Sequence, residues 1–187
     1  MRIIGGARRG LKLAEVGAGD AAAHLRPTPD RVREAIFNLL LNGGYGNLVA
    51  DSRVLDLFAG TGALGLEALS RGAQHATFVE NGKVALDLLR RNIDLMQAAD
   101  QTRILRVDAT SLAANPGPGF DLLFLDPPYG QSRGEIALSA CLSGNWLTQD
   151  AMIIWEENRP PIPPAGLQLM DQRKYGETII TLLRPGP

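Results

Sequence analysis

From residue 53 onward the sequence alternates short apolar runs with amphipathic stretches, and that rhythm leaves few folds open. Arg53-Val-Leu-Asp-Leu57 reads as a strand, followed by a glycine-rich turn and a helix near 63–71. His75 to Val79 is a second strand, followed by a helix near 82–97, and Arg103 to Val107 is a third strand. Asp121-Leu-Leu-Phe-Leu125 is almost wholly apolar, which marks a strand buried on both faces near the sheet centre. A helix near 133–142 and a fifth strand, Ala151 to Glu156, complete the alternation. Pro160, Pro161, Pro163 and Pro164 then form a stiff connector. Leu167 to Lys174 and Thr178 to Leu183 read as a closing antiparallel hairpin around Tyr175-Gly176. Strands separated by helices must run parallel, with right-handed crossovers. The expected fold is therefore α/β and Rossmann-like: a mostly parallel seven-stranded sheet with helices on both faces.

The first 41 residues read as an extension to that unit. Arg2-Ile-Ile-Gly-Gly and Arg9-Gly-Leu-Lys-Leu13 suggest a β-hairpin turning through Gly5 and Gly6. After an Ala/Gly-rich loop at 14–24, Thr28 is positioned to cap a helix over 29–41, with Pro29 in its first turn. Val32, Ile36, Leu39 and Leu40 supply that helix's apolar stripe. Arg2, Arg8, Arg9 and Lys12 carry four positive charges with no acid before residue 14. Residues 1–34 hold seven basic and four acidic side chains, although the whole chain has a net charge of -1. A basic arm on a slightly acidic body suits phosphate contacts; a solvated basic end is the plainer alternative. The division expected is 1–41 for the arm and helix, and 42–187 for the α/β unit.

Composition removes other classes. Apolar residues make up 45% of the 187, enough for a real core. Cys141 stands alone, so there is no intrachain disulfide framework, and with only two His no His/Cys metal site is expected. No apolar run approaches the roughly 20 residues of a membrane helix, and Met1-Arg2-Ile3-Ile4-Gly5-Gly6 has no leader-like apolar region. The expected setting is cytoplasmic, without membrane or metal.

Asp56-Leu-Phe-Ala-Gly60-Thr61-Gly62-Ala-Leu-Gly65 lies between a strand and a helix and satisfies G-x-G-x-x-G, a weak signal alone. Such a turn lets a nucleotide approach the backbone. Asp56 beside it would repel a pyrophosphate but suits a ligand with an ammonium group, as S-adenosylmethionine has. Glu80 closes the second strand, where a carboxylate can accept both ribose hydroxyls. Asp108 follows the third strand, where it can take the amine of adenine. The glycine spacing by itself leaves an NAD-dependent oxidoreductase open.

The fourth strand runs directly into Asp126-Pro127-Pro128-Tyr129. Prolines stiffen this loop and restrict the residue before them. Asp126 and the Pro127 carbonyl can accept two hydrogen bonds from a planar exocyclic amine, whose lone pair is otherwise conjugated into its ring. Two acceptors favour a pyramidal nitrogen with that lone pair aimed at an electrophile. Tyr129 can stack on the base.

Together these segments resemble class I S-adenosylmethionine-dependent methyltransferases. More closely, the chain is similar to the bacterial 16S rRNA guanine-N2 methyltransferases of the RsmD family. The resemblance rests on Arg2 to Gly6, Arg9 to Leu13, Arg26-Pro-Thr28-Pro-Asp-Arg31-Val-Arg-Glu34, Phe37-Asn38, Asp56 to Gly65 and Asp126 to Tyr129. It implies methyl transfer to a guanine N2 of 16S rRNA, in an assembled or assembling small subunit; the chain is expected to act as a monomer. It implies Asp126, Pro127 and Tyr129 at the reacting base. Thr28, Arg31, Asp56, Phe58, Gly60, Thr61, Gly62, Glu80, Asp108, Ala109 and Asp126 would lie around the cofactor, and Arg2, Arg8, Arg9 and Lys12 on the RNA. A DNA or RNA N6-adenine methyltransferase and a non-catalytic RNA-binding assembly factor remain as alternative readings.

Overall fold

The computed structural model describes residues 1–15 and 29–186. Its seven strands are β1 (Arg53–Leu57), β2 (His75–Val79), β3 (Thr102–Leu105), β4 (Phe120–Leu125), β5 (Leu147–Glu157), β6 (Leu167–Tyr175) and β7 (Thr178–Pro185). They form one sheet in the order β3-β2-β1-β4-β5-β7-β6. The first five of these neighbours pair in parallel, and β7 runs antiparallel to both β5 and β6. The mostly parallel sheet with a closing hairpin is thus observed.

The strand order reverses beside β1: the chain runs outward through β2 and β3, then returns to place β4 on β1's other side. A crevice opens where successive crossovers diverge, outside the carboxyl ends of the strands. The glycine turn leaves β1 there, and the Asp-Pro-Pro-Tyr segment leaves β4 there.

Both sheet faces are covered. α1 (Asp30–Asn42), α2 (Ala63–Ser70) and α3 (Lys83–Met96) bury Phe37, Leu40, Leu66, Leu89 and Ile93 with Phe78, Phe124 and Ile154 of the sheet. α4 (Arg133–Ser143) buries Ala137, Leu138 and Cys141 with Leu55, Leu123, Leu125 and Trp155 on the opposite face. Phe124 and Leu125 fall in different clusters because successive strand side chains point to opposite faces. Ile3 and Leu13 of the arm are buried in the first cluster.

Several boundaries differ from expectation. β5 begins at Leu147 rather than 151, extended by Thr148, Gln149 and Asp150, which carry no apolar signal; a register shift opposite Phe120/Leu122 accommodates the extra length. β3 ends at Leu105, since it pairs only with β2 at the sheet edge. Pro29 is the N-cap of α1 rather than its first residue, and Asp30 opens the helix. Thr28 and most of the 14–24 loop lie outside the described residues. The arm's hairpin is reduced to one bridge, Arg2 with Lys12, around a 3-10 turn at Gly6–Arg8. Because β6 runs parallel to β5, the proline-rich segment 158–166 crosses from one end of the sheet to the other. Nine residues at about 3.1 Å each reach far enough without a helix.

Replacing Leu123, fully buried at the sheet centre, by Ala should cost about 2–5 kcal/mol in urea unfolding. Leu169→Ala on the outer strand, where that side chain is 56% exposed, should cost less than about 1 kcal/mol.

Candidate active site at the carboxyl edge of the sheet

β1 ends in a turn held from beneath. Asp56 is buried and accepts a hydrogen bond from the Gly65 N–H at 2.9 Å, tying the strand to the first turn of α2. Burial, opposed by that hydrogen bond and reinforced by Glu80, pushes its carboxyl up to about 8. A side chain at Gly65 would place its Cβ 2.4 Å from the Phe78 ring, so only glycine lets α2 lie this close to β2. Gly62 adopts φ +79° at the N-cap of α2, which favours a residue without Cβ. Phe58 also takes the left-handed conformation, at φ +57°. For a bulky residue this stores strain, which the enclosing turn must offset.

Glu80 binds this turn from the neighbouring strand. Its carboxylate accepts the N–H groups of Gly60 at 2.9 Å, Asn81 at 2.8 Å and Gly82 at 2.7 Å. Asp108 lies three residues past β3, where it caps the 3-10 turn Ala109–Ser111. It accepts from the Thr110 N–H at 2.8 Å, from the Thr110 hydroxyl at 2.7 Å, and from Arg133 Nη2 at 2.8 Å to each oxygen. The Thr110 hydrogen bonds and Arg133, working against partial burial, pull its carboxyl down to about 2. Phe58, Val79, Glu80, Asn81, Val107, Asp108, Ala109 and Arg133 line a narrow cleft of about 10 Å³. The Arg133 guanidinium sits 5.6 Å from the Phe58 ring centroid. Sequence reading found Phe58, Glu80, Asp108 and Ala109 but not Arg133, which only the placement of α4 brings across the cleft.

Asp126 and Tyr129 are half-buried and Pro127 is buried, next to β5 in register Leu125–Trp155. That register sets Glu156 beside Asp126. Glu156 is 4% exposed and accepts the Tyr129 hydroxyl at 3.1 Å. Burial, with Glu156 and Asp126 nearby, moves Tyr129 ionisation upward from its ordinary value, while a hydrogen bond from Thr178 opposes this. Tyr129 is therefore a neutral aromatic plate fixed at its hydroxyl end. Glu157 accepts from the backbone of Asn158 at 3.1 Å and of Gly130, linking the loop after β4 to that after β5; burial raises its carboxyl.

The other expected residues are spread between the two edges of the sheet rather than gathered at this one: the Arg8 N–H is held by Ser70 and its guanidinium by Gln97, at the far ends of α2 and α3. Thr61 belongs to the glycine turn. Arg31 is exposed on α1, while Arg33 two residues on is fully buried and donates to Asp30 at 2.8 Å and to the Arg2 carbonyl at 2.7 Å. Arg2, Arg8 and Arg9 are exposed on the arm and Lys12 forms its bridge. Arg8 donates to Gln97 at the end of α3 at 3.0 Å. Among the described residues no cluster of His, Cys, Asp or Glu could hold a metal ion, and no helix is long and apolar enough to cross a membrane.

A doubly wound sheet in this order, with a glycine turn after β1 and strand-end acids after β2 and β3, defines a class I methyltransferase. The chain belongs to the family described as conserved hypothetical protein 95, which it matches over residues 1–184. It is 37% identical over 185 residues to the ribosomal RNA small subunit methyltransferase D of Escherichia coli strain K12, covering 97% of this chain and 88% of that protein. It is 35% identical over 181 residues to the protein of that name from Haemophilus influenzae, covering 94% and 89%. A solved structure described as a putative methyltransferase from Escherichia coli superposes with a TM-score of 0.84 at 35% identity, covering 100% of this chain and 98% of the other. Fold and family imply S-adenosylmethionine as cofactor. The donor set fits it: the Glu80 and Asp108 carboxylates stand at the cleft, the lining cation Arg133 is paired with Asp108, and Phe58 offers an aromatic face.

The state of Asp56 gives a pH test. Its carboxyl is raised from 3.8 to about 8, so the folded chain keeps a proton that the unfolded chain releases. The stability this contributes is full below about pH 4 and lost as pH rises through about 8. Asp56→Asn escapes that loss. Its melting temperature relative to wild type should therefore rise between pH 6 and pH 9, as followed by circular dichroism.

Proposed function

We propose that this chain transfers a methyl group from S-adenosylmethionine to the exocyclic N2 of a guanine in small-subunit (16S) ribosomal RNA. The observation that carries this is the Asp126-Pro127-Pro128-Tyr129 loop, held at its hydroxyl end by Glu156 and rooted beside the glycine turn at the point where strand order reverses. The names of the Escherichia coli and Haemophilus influenzae relatives support ribosomal RNA of the small subunit as the substrate class.

When bound, the cofactor supplies a methyl group on a positive sulfur. The chain's own residues do the rest. Glu80, Asp108, Ala109 and Phe58 line its cleft, and Gly60, Thr61 and Gly62 bring backbone close to it, with Asp56 holding the turn. Thr28 and Arg31 are assigned to the same site from the arm side. Asp126 and the Pro127 carbonyl accept hydrogen bonds from the guanine amine, turning its lone pair out of conjugation. The Asp126 carboxylate receives the proton that the nitrogen sheds as the N–C bond forms. Tyr129 stacks on the base, worth about 1–3 kcal/mol. Orientation supplies much of the rate. A base within a duplex is out of reach, so the target is unpaired or flipped out. Arg2, Arg8, Arg9 and Lys12 contact phosphates, which position the RNA without reading its sequence. The substrate is 16S rRNA in an assembled or assembling subunit, the enzyme acts as a monomer in the cytoplasm, and residues 1–41 form its RNA-contacting extension.

Asp126→Ala should abolish tritium transfer to small-subunit rRNA while leaving cofactor affinity within about threefold, because Asp126 is only one of several groups around the cofactor but the acceptor at the reacting amine. Full activity would remove Asp126 from the reaction. Replacing Arg8 and Arg9 together by Ala should weaken RNA binding and lower the slope of log affinity against log salt by about 2. An unchanged slope would place the RNA elsewhere.

A further inference from the structure

The basic arm is fastened to the two helices that frame the cofactor turn. Glu67 of α2, fully buried, accepts the N–H groups of Ile4 at 2.7 Å and Gly5 at 2.8 Å. Ser70 of the same helix accepts from the Arg8 N–H at 2.9 Å and donates to the Gly5 carbonyl at 2.6 Å. These contacts attach the arm to α2 but do not touch the turn itself.

Asn92 of α3 does both. It is fully buried. Its Oδ1 accepts the Ala14 N–H at 2.7 Å, and its Nδ2 donates to the Ala14 carbonyl at 3.1 Å and to the Thr61 carbonyl at 2.9 Å. One amide thus bridges the arm's last described stretch and the middle of Gly60-Thr61-Gly62. Burying an amide is unfavourable unless its hydrogen bonds are made. An apolar side chain here would strand three backbone groups at once. An anchor for the arm alone would not require Thr61, and a support for the turn alone would not require Ala14.

We propose that Asn92 is a positioning residue that joins the RNA-contacting arm to the cofactor turn, so that the docked arm fixes the turn in its binding shape and the turn in return holds the arm. This rests on the proposed assignment of the arm to RNA and the turn to S-adenosylmethionine. Asn92 touches neither ligand. Its loss should weaken both, and by linkage the arm's integrity should be felt in cofactor affinity.

Four proteins test this: wild type, Asn92→Leu, Ala14→Pro and Leu183→Ala. Ala14→Pro removes one donor to Asn92 and alters no side chain of the turn. Leu183→Ala is a control: that buried β7 residue pairs with Ile153 of β5 and Leu169 of β6, and its loss should lower stability while leaving Asn92, Ala14 and the glycine turn in place. S-adenosylmethionine affinity is measured by calorimetry, small-subunit rRNA affinity by filter binding, and melting temperature on each. Asn92→Leu should lose about tenfold in cofactor affinity and a comparable factor in RNA affinity, the scale of one or two lost hydrogen bonds. Ala14→Pro should lose several-fold in both, roughly half the effect on a logarithmic scale. Leu183→Ala should bind as wild type despite a lower melting temperature. Cofactor affinity unchanged in Ala14→Pro would overturn the proposal even if Asn92→Leu fails to fold. A loss in Leu183→Ala equal to that in Ala14→Pro would reduce the effect to general instability and overturn it as well. Failure of the underlying functional reading has a separate signature: wild type itself would bind no S-adenosylmethionine or no rRNA.

Discussion

A single buried carboxylate organises the site. Asp56 has left water at the end of β1 and accepts the Gly65 N–H. That bond fixes where α2 starts, and Gly65 brings the helix against Phe78. With the helix fixed, the turn between them has little freedom. Its Gly60 N–H meets Glu80 just past β2 and its Thr61 carbonyl meets Asn92 on α3. Three elements from different parts of the chain therefore hold one short turn. The burial of Asp56 costs stability, and the cost is larger where the group must ionise.

The second half of the site follows from strand pairing. β4 lies between β1 and β5, so whatever leaves its carboxyl end emerges between the glycine turn and the end of β5. Asp126 and Tyr129 leave there. Glu156 arrives by register and takes the Tyr129 hydroxyl, while Glu157 takes the Gly130 N–H. A loop stiffened by two prolines is thereby pinned at several points. In the proposed reaction its acceptor pair and aromatic face have little to reorganise, which is the condition under which orientation contributes to rate.

Much of this was legible in the sequence because it depends on local pattern. The apolar run of β4, the helical spacing of α3 and the glycine turn each declare themselves within about ten residues. Asp56, Glu80 and Asp126 were found as acids at or just past strand ends. Their partners were not. Arg133 reaches Asp108 only because α4 packs across the sheet, and Glu156 faces Tyr129 only through pairing of β4 with β5. Arg33 and Asn92 lie in helical runs whose spacing gives no sign of their partners, yet both are fully buried and bond to the arm. The polar start of β5 was missed because strand pairing rather than apolar pattern determines it. Long-range pairing is what local periodicity cannot encode.

In the proposed function the Asp126-Pro127-Pro128-Tyr129 loop presents a guanine's exocyclic amine to the cofactor's methyl group. The most direct measurement is the identity of the modified nucleoside. Unmodified small-subunit rRNA, free or in assembled particles, is incubated with the protein and S-adenosylmethionine, digested to nucleosides and resolved by mass spectrometry. The account predicts N2-methylguanosine as the sole new product. Appearance of N6-methyladenosine, or no methylated nucleoside on either form of the RNA, would contradict it.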